Sequence, residues 1–127
     1  MENKPKMSSL PDGTKRWKLN GVLHREDGPA MEFVSGTKKW YINGLIHREN
    51  GPAVEQNDGI SEWYKQGKRH RIDGPAWISP ISSEWWINDF EITFKIRQWA
   101  KDNNIDLNNL SEVDKLMIKL TWADYGK

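Results

Sequence analysis

Three histidines, His24, His47 and His70, stand 23 residues apart; each is followed at once by an arginine (Arg25, Arg48, Arg71) and shortly afterwards by Asp27, Asn50 or Asp73. Imidazole with a nearby carboxylate is the commonest acid–base and metal-ligand combination, so the pattern first suggests catalysis or a metal centre. Its repetition argues for architecture instead. An active site is one asymmetric constellation, and Asn50 in the middle copy supplies neither a base nor a carboxylate ligand. The chain also lacks a glycine-rich phosphate loop, a Gly-x-Ser-x-Gly elbow and a His-Glu-x-x-His helix. We therefore expect no enzyme, no catalytic residue, no metal and no cofactor.

The elements that would hold these residues form a repeat. Nine of the ten glycines fall into three columns at the same spacing: Gly13, Gly36, Gly59; Gly21, Gly44, Gly67; and Gly28, Gly51, Gly74. Trp17, Trp40 and Trp63 keep the register, as do the Gly-Pro-Ala triplets ending at Ala30, Ala53 and Ala76. The unit reads G-x3-W-x2-[NQ]-G-x2-H-R-x-[DN]-G-P-A. A fourth, truncated copy starts at Glu84-Trp85-Trp86-Ile87-Asn88-Asp89 and lacks the His-Arg and Gly-Pro-Ala elements, as terminal copies of repeat arrays often do.

Asn20-Gly21, Asn43-Gly44 and Gln66-Gly67 sit between short β-prone runs and predict two-residue type I′ turns, which need φ > 0 at both central positions. Around Asn43-Gly44 this pairs Ile42 with Leu45, Tyr41 with Ile46, Trp40 with His47 and Lys39 with Arg48. Each repeat then carries one cross-strand Trp-His pair: Trp17 with His24, Trp40 with His47, Trp63 with His70. The face shared with Leu19 and Val22, or Ile42 and Leu45, is the expected core, and the opposite face the solvated one. In this structural network each His packs on its Trp, Asp27 and Asp73 accept bonds from turn amides, and the Arg reaches a carbonyl or carboxylate. The Gly-Pro segments turn the chain, Gly by its tolerance of unusual dihedrals, and a short third strand follows, as at Ala53 to Gln56.

After about Thr93 the period becomes helical. Ile92, Ile96 and Trp99 share one face, and Val113, Leu116, Met117, Leu120 and Ala123 form a second stripe behind Ser111-x-x-Asp114, which approximates a capping box. The fold class predicted is mainly β (α+β): an antiparallel β-meander of three and a half 23-residue hairpin repeats with a two-helix C-terminal cap. Residues 1–11 read as a flexible N-terminus, 12–92 as the hairpin array and 93–127 as a helical segment packed on it, covering an open sheet end.

Composition narrows the function. With 127 residues the chain suits one domain, and a formal charge of +1 provides no global field to attract nucleic acid or an acidic membrane. It has no cysteine, and neither an apolar leader nor a membrane-spanning run, which predicts a cytoplasmic protein. Eight tryptophans remain, a large aromatic surface for so short a chain. Trp, Tyr and Arg dominate binding hot spots, so Tyr64, Arg69, Arg71, Trp86 and Tyr41 are the expected protein-binding residues. The basic run from Lys65 to Arg71 offers an alternative, binding nucleic acid or a small phosphorylated ligand beside Trp63, Tyr64 and Trp77. An open repeat edge leaves monomer and homodimer both open.

The unit Trp40-Tyr-Ile-Asn-Gly-Leu-Ile-His-Arg-Glu-Asn-Gly-Pro-Ala53 resembles the MORN-like variant repeats of bacteriophage and large-virus proteins, over about Asp12 to Ile92. That resemblance implies a repeat scaffold. Its setting implies a phage-encoded factor, in the host cell cytoplasm, that binds and modulates or inhibits a host protein such as a defence component. MORN-type repeats at large are associated with scaffolding and sometimes with lipids, but the His-Arg and Gly-Pro-Ala elements here depart from that pattern. Lipid binding is therefore not carried over, and fold alone does not transfer a function.

Overall fold

A computed structural model describes residues 3–127. The chain is mainly antiparallel β with two C-terminal helices. Among the described residues the short strands are β1 (Lys6–Ser9), β2 (Lys15–Leu19), β3 (Val22–Leu23), β4 (Met31–Glu32), β5 (Lys38–Lys39), β6 (Tyr41–Ile42), β7 (Leu45–Ile46), β8 (Val54–Glu55), β9 (Ser61–Glu62), β10 (Tyr64–Lys65), β11 (Lys68–Arg69), β12 (Trp77–Ile78), β13 (Ser83–Glu84), β14 (Trp86–Ile87) and β15 (Phe90–Glu91). Helices α1 (Thr93–Asp102) and α2 (Glu112–Trp122) follow.

The strands run along two tracks. One is a meander in the order β1-β2-β4-β5-β8-β9-β12-β13; the other is the series of hairpins β2-β3, β6-β7, β10-β11 and β14-β15. Tyr41 pairs with Ile46 and Ile42 with Leu45, and Tyr64 pairs with Arg69, in the register expected from the turns. The turn residues have the left-handed backbone that type I′ demands: Asn43 at φ 51° with Gly44 at 81°, and Gln66 at 50° with Gly67 at 81°. Even Asn88 and Asp89 adopt it, at 49° and 72°. The expected pairing of Lys39 with Arg48 does not form. The hairpin closes at the bond from the His47 N–H to the Trp40 carbonyl, and Lys39 belongs to the meander, between Met31 and Val54.

Successive hairpins are stitched by backbone bonds. The Gly44 N–H donates to Leu23 and the Arg25 N–H to Tyr41; Gly67 to Ile46 and Arg48 to Tyr64; Asp89 to Arg69 and Arg71 to Trp86. The repeat is thus a unit of stacking as well as of sequence, as in other repeat architectures. The meander begins earlier than the sequence suggests, because Lys6–Ser9, assigned to a flexible arm, pairs with β2 from Lys15 to Lys18. Met1 and Glu2, the start of that arm, lie outside the described residues.

The fourth copy is displaced by one residue, for a visible reason. Between the second and third repeats the chain reverses through a three-residue loop, Gln56 N–H to Ile60 carbonyl, with Gly59 left-handed at φ 90°. Between the third and fourth, Ser79 N–H reaches Ser82 carbonyl across two residues. The glycine is no longer needed, and Trp85 follows Trp63 by 22 residues instead of 23.

The core lies elsewhere than expected. Val22 and Leu45, assigned to the buried face, are 44% and 51% exposed. The array is filled by Ala30, Ala53 and Ala76, which are fully buried. The large apolar cluster sits where array meets helices: Trp85, Ile87, Ile92, Ile96 and Ile118, with Ile72, Trp99, Leu107, Leu110, Trp122 and Tyr125 against it. Two-residue strand segments cannot supply enough inward positions for a core of their own, so bulk collects under the cap.

The end of α1 and the start of α2 follow from their sequences. Asn104 turns left-handed at φ 54°, and the Ile105 and Asn104 amides reach the carbonyls of Ala100 and Lys101, a Schellman termination closed by buried Ile105. Ser111 and Asp114 form the reciprocal capping box. The second stripe is reversed, however: α2 buries Ile118 and turns Val113, Leu116, Met117 and Leu120 to solvent.

Candidate functional site

Each histidine is aimed at the following repeat. The Asn43 N–H donates to His24 Nδ1 at 2.9 Å, the Gln66 N–H to His47 Nδ1 at 2.9 Å, and the Asn88 N–H to His70 Nδ1 at 3.0 Å. Every His therefore secures the first left-handed residue of the next turn. The bond also fixes the neutral tautomer: Nδ1 is the acceptor and Nε2 carries the proton. The ring's only lone pair is thereby occupied, which leaves none for holding a metal ion in this arrangement. His47 Nε2 lies 2.9 Å from Glu49 Oε1, and this bond, with Lys65 nearby, holds the Glu49 carboxyl below its ordinary value. His24 Nε2 lies 3.6 Å from Glu26.

The indole's charged partner is the arginine. The guanidinium carbons of Arg25, Arg48 and Arg71 lie 3.9, 3.9 and 3.8 Å from the ring centres of Trp17, Trp40 and Trp63, a stacked cation–π geometry. The expected cross-strand pairing of each Trp with its His forms through the backbone, the His24, His47 and His70 N–H groups donating to the carbonyls of Trp17, Trp40 and Trp63, while the imidazole bonds across the repeat boundary and the arginine stacks on the indole. Nη1 of each arginine donates to the carbonyl of Pro29, Pro52 or Pro75 at 3.1, 3.0 and 3.1 Å. Asp27 and Asp73 accept from Arg25 and Arg71 Nε at 3.2 and 2.9 Å, where turn amides were expected as donors. Asn50 offers no carboxylate, and Arg48 bonds instead to Glu55 at 2.6 Å.

This packing explains a glycine column. A Cβ at Gly28, Gly51 or Gly74 would lie 2.7, 2.8 or 2.6 Å from the guanidinium carbon of the local arginine. None of the three is left-handed, so what glycine provides here is space for the side chain and not the unusual dihedral expected from sequence.

The fourth copy rewrites the unit for a different neighbour. Ile92 takes the histidine position, its N–H donating to the Trp85 carbonyl as His24 does to Trp17. No further turn needs an acceptor, and a buried apolar side chain joins the helical cluster. In the repeats the Trp N–H donates to the carbonyl of Ala30, Ala53 or Ala76; at Trp85, Thr93 Oγ1 receives it at 2.9 Å.

Of the expected binding residues, the structure brings together Tyr64, Arg69 and Trp86. The Arg69 guanidinium carbon lies 4.9 Å from the Trp86 ring centre and 5.4 Å from that of Tyr64. Arg69 Nη2 donates to the Tyr64 hydroxyl at 2.9 Å and to Glu62. Trp86 Nε1 donates to Glu84 at 3.0 Å, and burial pushes the Tyr64 phenol above its ordinary value. Tyr41 occupies the same hairpin position one repeat earlier, half-buried. Arg71 is apart from this group, stacked on Trp63. Glu62 and Glu84 are not among the expected site residues, although each lies two residues before the aromatic side chain that donates to it; a same-face i, i+2 spacing along the strand is the signal that could have found them.

The third repeat also lacks the carboxylate that faces the other imidazoles: Ile72 stands where Glu26 and Glu49 do. Around His70, Lys65, Lys68, Asn88 and Lys127 line an open cleft of about 360 Å³. Burial, and then Lys65 and Lys127, push the His70 imidazole below its ordinary value.

Comparison of the chain with protein-family models, with curated proteins and with solved structures finds no match. Among the described residues, no helix is long and apolar enough to cross a membrane.

Proposed function

We propose that the chain works by contact, as a non-enzymatic protein-binding module whose recognition surface centres on Tyr64, Arg69 and Trp86. The observation that carries this reading is the arrangement of Arg69, held between two aromatic rings by Tyr64 and Glu62. An anchor whose rotamers are already ordered loses little entropy on binding, which favours hot-spot residues of these types. The histidines support the same reading, since their lone pairs are occupied by backbone amides. The resemblance of the repeats to those of phage proteins directs the search to a host-encoded partner that the chain modulates or inhibits.

The test is affinity capture from bacterial lysate with the wild-type chain and with Tyr64→Ala/Trp86→Ala, after thermal unfolding has verified that the variant folds. A protein retained at high salt by wild type and lost by the variant agrees with the proposal; equal capture by both sinks it.

The cleft around His70 favours a second reading, binding of a phosphate group on nucleic acid or a small ligand. Three lysines and an imidazole N–H, with Ile72 at the position that carries Glu26 and Glu49 in the other repeats, would serve an anion. Such binding would weaken steeply with salt and with Lys65→Ala/Lys68→Ala, while the aromatic variant would leave it intact.

A further inference from the structure

Helix α2 presents its apolar stripe outward. Ile118 is fully buried and Trp122 packs on the cluster, whereas Val113, Leu116, Met117 and Leu120 are 66%, 54%, 36% and 77% exposed. Their spacing of three, four and seven residues places all four on one face. Single exposed leucines are ordinary on a protein surface, but a contiguous apolar stripe on a helix marks a contact.

We propose that this stripe is a self-association surface, on which α2 of one copy lies antiparallel to α2 of a second copy about a two-fold axis. The charges flanking the stripe select the occupant. Glu112 and Lys119 are both exposed and, two turns apart, share one edge of the stripe. An antiparallel two-fold brings that edge against its own symmetry mate, so Glu112 of each copy meets Lys119 of the other and the complementarity occurs twice. A parallel pairing would set the edge against the opposite one, which carries Asp114, and forfeit both pairs. The existing partner of Glu112 is Lys115, at 3.3 Å on the same helix; exposed pairs of that kind are weak and do not hold Glu112 back. An eleven-residue helix gives a small interface, so the association is reversible and in the micromolar range or weaker, at roughly 1–100 μM. This surface is separate from the Tyr64 group and does not depend on it.

Sedimentation equilibrium over about 1–500 μM tests the proposal. Wild type should pass from monomer to dimer, and Leu116→Ser and Leu120→Ser should each weaken the dimer at least tenfold. Both positions are exposed, so the thermal midpoint at low concentration should stay unchanged. Glu112→Lys and Lys119→Glu should each weaken association, and the doubly exchanged chain should return to within about threefold of wild type, with helix content monitored by circular dichroism. A chain that stays monomeric at the highest concentration overturns the proposal and leaves the stripe to a different protein. A dimer indifferent to Leu120→Ser overturns it too, as does a double exchange that fails to rescue the single ones.

Discussion

The Nδ1 atom of His70 accepts the backbone N–H of Asn88 at 3.0 Å, tying the last full repeat to the incomplete copy that leads into the helices. Asn88 in turn donates from Nδ2 to the carbonyls of Ala123 at 3.1 Å and Tyr125 at 2.8 Å. A path of polar contacts therefore runs from an imidazole of the array, through one turn, to the C-terminal end of α2. The same imidazole contact joins repeat one to two and two to three.

Removing the acceptor while keeping ring volume isolates the contribution of this contact. His24→Phe leaves the Asn43 N–H without its partner next to a buried ring, and a loss of about 1–3 kcal/mol is expected. Urea unfolding measures it; a loss under about 0.3 kcal/mol would mean that water replaces the imidazole freely.

Acid should loosen the joint at His70. Its folded value lies below the ordinary 6.5, so the unfolded chain binds the proton more readily. The stabilisation is complete above about pH 6.5 and is lost as pH falls through the folded value. Thermal midpoints of wild type and His70→Phe should therefore converge as pH is lowered below 6.5. A gap that stays constant down to pH 4.5 would contradict the bond from Asn88.

Gly51→Ala should displace Arg48. The new Cβ would stand 2.8 Å from its guanidinium carbon, and although an arginine end can move, moving it sacrifices the stack on Trp40 and the bonds to Pro52 and Glu55. The expected cost is about 1–2 kcal/mol. In an Arg48→Ala background the same change should cost much less, a coupling that a double-mutant cycle reads directly.

Thr93→Val should destabilise the junction of array and helix. Trp85 is 3% exposed and its N–H relies on Thr93 Oγ1, so about 1–3 kcal/mol is at stake in a change that otherwise preserves shape. Thr93→Ser keeps the oxygen and should keep most of the stability. Equal losses in the two variants would remove the hydroxyl from the account.

Local chemistry was legible in the chain and long-range partnership was not. The left-handed turns at Asn43-Gly44 and Gln66-Gly67, and the capping box at Ser111, depend on dihedral and hydrogen-bond preferences expressed within a few residues. The partner of His24 is an amide 19 residues away, and the arginine over each tryptophan competes with the cross-strand neighbour that pairing arithmetic names first. The glycines at 28, 51 and 74 look like turn glycines until the guanidinium beside them is seen.

Helix α2 shows where the division falls. By itself the sequence determined the repeat, its hairpins, the helical period of residues 112–122 and the set of side chains sharing each face, because spacing along a backbone of known pitch is a local property. Which face turns inward was decided only by the tertiary structure. Ile118 and Trp122 meet Ile96 and Trp99 at the end of the array, and the larger stripe is left outside, because burial depends on the shape of the surface available for packing and not on the hydrophobicity of one element alone.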